Sequence, residues 1–191
     1  MTNIDHSTRP RAASGPKNRS GFTLIELMVA LALVGILLGA AVPNARAFLA
    51  AAELRERSEA LIRTLSVARS EAVKRGTRVD VCPSIDRQRC APSATWGTGW
   101  LTFVNESRSA QPASDTAILS REPPARSGIV ITGNRTVADY ISFTSIGHAR
   151  RHDGALQMGT FTVCRRGQGA RKIVLANSGR LRLDVTEEAC P

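Results

Sequence analysis

Hydrophobic positions fall into three successive patterns along this chain. From Phe22 to Val42 they are continuous: FTLIELMVALALVGILLGAAV is a 21-residue block whose one charge is Glu26. At about 1.5 Å per residue such a helix spans roughly 32 Å, enough to cross the hydrocarbon core of a bilayer. From Asn44 to Gly76 the apolar positions instead recur every three or four residues. Leu54, Ser58, Leu61, Leu65, Ala68 and Ala72 form one stripe of an amphipathic helix. Glu53, Arg55, Glu56, Arg57, Glu59, Arg63, Arg69 and Glu71 fall on its other faces, where solvated charge is expected. Glu53–Arg57, Glu59–Arg63 and Glu71–Arg75 have the spacing and order of stabilising helical pairs. Gly76, just after Lys74 and Arg75, is placed to end the helix.

Beyond Thr77 the signals shorten to β type. Strands are predicted at Arg78–Cys82, Trp100–Val104, Ala117–Ser120, Ile129–Thr132, Asp139–Thr144, Thr160–Arg165, Lys172–Ala176 and Arg180–Val185. Turn-forming clusters separate them, and Asn105 to Arg126 reads as a long loop around a short strand. One long helix followed by such strands predicts an α+β domain with the helix packed on sheet.

Charge changes this picture at both ends. Before the apolar block, Arg9, Arg11, Lys17 and Arg19 stand against Asp5, a net +3 that holds this end in the cytoplasm. The rest of the chain is then exported, where the four cysteines can hold disulfides. A carboxylate five residues into the block costs about 2.5 kcal/mol or more in a membrane, so Glu26 needs a partner or a task. That carboxylate, the length of the block and the lack of a small-x-small cleavage site argue against an ordinary secretory signal.

The segment Arg19-Ser20-Gly21-Phe22-Thr23-Leu24-Ile25-Glu26-Leu27 resembles the processing motif of type IV prepilins and type II secretion pseudopilins. The resemblance implies a leader, residues 1–21, that a prepilin peptidase removes by cutting after Gly21. Phe22 is then the N-methylated first residue. Residues 22–43 become the transmembrane and filament-core helix, 44–76 its amphipathic continuation and 77–191 a β-rich globular domain. Pro43 stands where the family kinks its helix. Glu26 pairs with the N-terminal ammonium of a neighbouring subunit, a charge-assisted contact that specifies register.

Later segments resemble a subgroup, the FimT/GspH-type minor pilins and pseudopilins. They are Cys82-Pro83-Ser84, Gly99-Trp100-Leu101-Thr102-Phe103, Ile141-Ser142-Phe143 with Gly147, Gly159 to Cys164, and Asn177-Ser178-Gly179-Arg180-Leu181-Arg182. This resemblance implies a type IV pilin-like fold of two packed antiparallel sheets beneath a long helix. It also implies a place in the inner membrane with the C-terminal domain in the periplasm, and other major and minor pilins as partners.

Four cysteines allow three pairings. Cys82 and Cys90 flank a short turn and form the local choice, which leaves Cys164–Cys190. Loop closure gives roughly 2.5 and 3.5 kcal/mol for the two as upper estimates. The spacing lacks the CxxC of a zinc site, and no metal or cofactor is expected. His148 and His152 with Asp153 are the candidate acid–base group, in a stretch that reads as an exposed basic loop. No nucleophile elbow, phosphate loop or metalloprotease motif is present, so an enzyme is not expected.

From Arg150 to Arg182, 33 residues carry Arg150, Arg151, Arg165, Arg166, Arg171, Lys172, Arg180 and Arg182 against Asp153 alone, a net +7. Localised positive charge is the footprint of a polyanion-binding face, and few aromatics favour phosphate over bases. Alternation along Arg180–Val185 sends Leu181, Leu183 and Val185 inward and Arg180, Arg182 and Asp184 outward. With Ala176 opposite Arg180, Lys172 falls opposite Asp184, and Arg180 and Arg182 keep no local acidic partner. Within the subgroup, FimT-like pilins of natural transformation bind DNA through a Gly-Arg-x-Arg element, here Gly179-Arg180-Leu181-Arg182. The resemblance thus implies DNA as a partner, although Asp184, Glu187 and Glu188 follow that element.

Overall fold

The computed structural model describes Gly21, residues 23–126, residues 128–186 and Cys190. Residues 1–20, Phe22, Glu187 and Glu188 therefore lie outside the described residues. Two compact units divide after Pro43. One long helix, α1, runs from Leu24 to Arg75 and supplies residues to both.

In the first unit, Thr23 opens α1. Its hydroxyl accepts the Glu26 backbone N–H at 3.3 Å and its carbonyl the Leu27 N–H at 3.1 Å, so two N–H groups of the first turn are satisfied. Glu26 in that turn also opposes the positive end of the helix dipole. Every large apolar side chain from Leu24 to Val42 is exposed. Among the described residues no helix is long and apolar enough to cross a membrane.

The second unit builds the buried core. The predicted stripe is the buried one: Leu54, Ser58, Leu61, Leu65, Ala68 and Ala72 are all 4% exposed or less. Gly76 ends α1 with φ +66°, as the Thr77 N–H bonds Ala72 O and the Gly76 N–H bonds Val73 O. This crossed pair of bonds needs the left-handed conformation that glycine adopts cheaply.

Eight strands follow: β1 Val79–Pro83, β2 Trp100–Val104, β3 Ile118–Glu122, β4 Ile129–Gly133, β5 Ile141–Phe143, β6 Gly159–Arg165, β7 Arg171–Leu175 and β8 Leu181–Val185. They form two antiparallel sheets, ordered β3-β2-β1-β5 and β4-β6-β7-β8. Each predicted strand is found, with ends shifted by a residue or two. Stripe residues of α1 share one core with Val79, Val81 and Trp100 of the first sheet and Ile131, Phe161, Val163, Ile173 and Leu175 of the second. Trp96 joins the layers, meeting the Phe161 ring edge-on at 5.1 Å and donating its indole N–H to Val137 O at 3.0 Å. The other face of the first sheet holds a smaller cluster of Cys82, Cys90, Leu101 and Phe103.

Two expectations change. Val185 lies on the α1 side of β8, as alternation expects, but is not buried there; it is 68% exposed, at the end of an outer strand and opposite Arg171. Arg57, expected in solvent, is buried: its guanidinium lies 4.2 Å from the Trp100 ring centre and donates to Glu122 at 3.0 Å. The sulfurs join Cys82 to Cys90 and Cys164 to Cys190. Peptide mapping without reduction is expected to recover these two linked pairs from exported protein. A Cys82–Cys164 peptide, or four free thiols, would refute the pairing.

Candidate functional site

Gly21 and Glu26 are both exposed at the start of the chain's helical part, and Phe22 between them lies outside the described residues. The eight cations of the C-terminal half fall on several faces rather than one stripe. In the second sheet, residues of β7 and β8 alternate between the α1 side and the outer side. Ile173 and Leu183 face α1 as register partners, while Lys172 and Asp184 form the next pair on the outer side. The expected Lys172–Asp184 register is therefore present, and Lys172 is engaged.

Arg182 differs from expectation. Its guanidinium pairs with Asp184 at 2.9 Å, because residues two apart on a strand share a face. Arg180 precedes β8, is exposed and forms no ion pair among the described residues. Arg165 turns toward α1 and pairs with Glu53, which also holds Arg126 at 3.1 Å. Glu53 consequently does not pair with Arg57. Arg171 is half-buried against α1, with its Nε buried and unpartnered among the described residues. Arg166 is exposed beside Val130 and the Cys164–Cys190 bridge. Arg150 and Arg151 lie near the first sheet, where Arg151 approaches Asp153 at 3.5 Å and the Arg150 N–H bonds Ser142 O.

The hydrogen bond from Arg165 holds the Glu53 carboxyl below its ordinary pKa, and Arg126 adds to this against the opposing effect of burial. A depressed carboxylate contributes stability that is present above the unfolded value and lost as pH falls through the folded one. Melting temperatures measured from pH 7 to pH 3 should therefore decline through the acid range. Glu53→Gln should be less stable than the native chain at pH 7 and converge on it in acid. Parallel curves across the range would dismiss this linkage.

The histidine loop also differs from its reading. His152 is not simply solvated: its Nε2 lies 2.6 Å from Asp80 Oδ2 on β1, and its ring stacks on Tyr140 at 4.1 Å. Asn105 donates to the same Asp80 oxygen at 2.5 Å. Asp153 instead accepts the Ala155 N–H at 2.9 Å, closing its own turn. No group of three or more His, Cys, Asp or Glu among the described residues is placed to hold a metal.

A long N-terminal helix carrying two antiparallel sheets, preceded by a Gly-Phe-Thr-Leu-Ile-Glu junction, defines a filament subunit of the pilin and pseudopilin class. The chain belongs to the family described as type II transport protein GspH, whose model matches residues 57–179. Residues 16–42 match the prokaryotic N-terminal methylation motif. Type IV minor pilin FimU of Pseudomonas aeruginosa has a similar fold. Its two crystal forms give TM-scores of 0.57 and 0.53 at 23% and 22% identity, covering 75% and 71% of this chain and 96% of theirs. Minor pseudopilin EpsH of the Vibrio cholerae type 2 secretion system is more distant, at 13% identity and TM-score 0.47 over 70% of this chain and 97% of its own. No curated protein matches the chain. The chain is thus a minor pilin or pseudopilin of a type IV pilus or type II secretion system. Members of these families are structural proteins, processed by prepilin peptidase and assembled with other pilins at the membrane.

Proposed function

We propose that the chain is a minor pilin of a type IV pilus that binds DNA through its C-terminal cations, for uptake in natural transformation. The observation that carries this reading is Arg180, an exposed cation without an ion pair among the described residues, beside an outer strand in a segment of net charge +7. In this reading peptidase cuts between Gly21 and Phe22, Phe22 is methylated, and the run from Phe22 to Val42 anchors the chain once through the inner membrane. The globular unit lies in the periplasm until Glu26 seats the subunit in a filament. A secretion pseudopilin without a DNA ligand is the second reading. It is favoured by the cations already committed internally, Arg165 to Glu53 and Arg182 to Asp184.

Gel-shift titrations at several salt concentrations separate the two. With about four cations on phosphates, log affinity should fall with log salt at a slope near −3 to −4. Binding should be alike for unrelated duplex sequences, since phosphate contacts carry no base information. Arg180→Gln should flatten the slope by about one unit without unfolding the domain, because exposed substitutions cost under about 0.5 kcal/mol. Well-folded protein that binds no duplex at low salt would leave the pseudopilin reading.

A further inference from the structure

One side of α1 is left open beside the turn that joins β7 to β8. Ser66, Arg69, Ser70 and Lys74 of α1 face Arg180 and Leu181 across a groove of about 570 Å³. Ser66, Ser70 and Lys74 are spaced four residues apart, so they form one row about 12 Å long. No acidic residue lines the groove. The nearest in sequence, Glu71, is held by Arg75 at 2.6 Å, and Lys74 stands 3.8 Å from it with its ammonium exposed.

Arg69 is the fixed element of this groove. Its side chain passes beneath two turns and its Nε donates to Gly147 O at 2.9 Å. Both turns are glycine where it passes, Gly147 and Gly179, each at φ +77°. A methyl group on Gly179 would meet Gly147 O at 2.1 Å and Arg69 Nε at 2.9 Å, and one on Gly147 would meet Arg69 Nε at 3.1 Å. The missing side chains make the space in which the arginine lies. Its two terminal nitrogens, Nη1 and Nη2, have no hydrogen-bond partner among the described residues. A cation immobilised before binding loses little further entropy when an anion arrives. Arginine also presents its free N–H groups to a phosphate as a fork.

We infer that this groove is where a phosphodiester strand is gripped, with Arg69 as the fixed cation, Lys74 and Arg180 as mobile ones and the Ser66 hydroxyl as a neutral donor. The inference rests on the DNA reading above and moves its centre from the outer face of β8 to α1. The lining favours a nucleic-acid strand over a bare polyphosphate, because beside its cations it presents the apolar Ile62, Val73 and Leu181, which suit sugars rather than phosphates. The outer face is less suited, since Arg182 there already holds a carboxylate.

The test uses the processed full chain in mild detergent and a short fluorescein-labelled duplex, read by anisotropy at several salt concentrations. Lys74→Gln and Arg180→Gln should each weaken binding and flatten the log–log salt slope by about one unit. Arg182→Gln and Arg166→Gln should leave both unchanged. Arg69→Lys keeps the charge but loses the fork, and should weaken binding with little change of slope. A melting curve for each variant confirms the fold, and the exposed Lys74 and Arg180 keep the test valid if Arg69→Lys is unstable. Duplex binding that is lost in Arg182→Gln and kept in Lys74→Gln would overturn the groove while sparing the DNA reading. Absence of duplex binding by the native chain would overturn both, and capture of an acidic peptide through Lys74 and Arg180 would then mark the groove as a protein-docking surface.

Discussion

Glu26→Val is expected to be cleaved and inserted normally but to fall by about a hundredfold to a thousandfold or more in sheared filaments. Removing one partner of a buried ion pair costs about 3–5 kcal/mol, which sets that scale. The helix start should survive, because Thr23 receives the backbone N–H of residue 26 and not its carboxylate. Membrane insertion should improve, since the replaced carboxylate costs about 2.5 kcal/mol in a bilayer. Peptide sequencing of the membrane fraction, with a mature chain starting at Phe22, and immunoblots of sheared filaments measure the two halves. Normal recovery in filaments would remove Glu26 from assembly. Uncleaved protein would place Glu26 in peptidase recognition instead.

Arg57→Ala should lower the stability of the globular unit by about 2–4 kcal/mol. Its guanidinium is sandwiched between the Trp100 ring, the Glu122 carboxylate and the Pro123 carbonyl. Truncation leaves an acceptor and a carboxylate without their donor and opens a gap against the indole. Burial itself pulls the Arg57 pKa down and Glu122 works against that, so the site depends on its partner. Because the Glu122 side chain is 34% exposed, water recovers part of the loss, which keeps the estimate at the lower end of buried pairs. At roughly 3 °C per kcal/mol for a domain of this size, the melting point should drop by about 6–12 °C. Arg57→Lys should restore less than half of it, since an ammonium neither stacks flat nor forks. A drop under about 2 °C for Arg57→Ala would show the cluster to be energetically idle.

Much of this architecture was legible because it is local. The α1 stripe follows from the spacing of Leu54, Leu61, Leu65 and Ala72, and the β7–β8 register from a turn at Asn177-Ser178-Gly179. What could not be read is what the charged faces of α1 meet. Two sheets reach around the helix, so Arg57 finds Glu122 and Glu53 finds Arg165, partners 65 and 112 residues away. Arg69 was hidden for the same reason: helical periodicity places it off the apolar stripe but says nothing of two glycine turns arriving above it. The Asp80–His152 contact spans 72 residues, and no local pattern near either residue announces it. The candidate cations were visible as a count, whereas the carboxylates that occupy several of them emerged only with the fold.

The Cys164–Cys190 bridge has a mechanical consequence. β8 is an outer strand, and an unbridged outer strand under tension unzips one hydrogen bond at a time. Here the bridge runs from β6 to a point beyond β8, so β7 and β8 lie inside a covalent ring. Load applied at Cys190 is carried across the bond directly to β6, whose two neighbours, β4 and β7, flank it on either side. Such load bypasses the edge ladder, and β8 is spared the force that would otherwise peel it away.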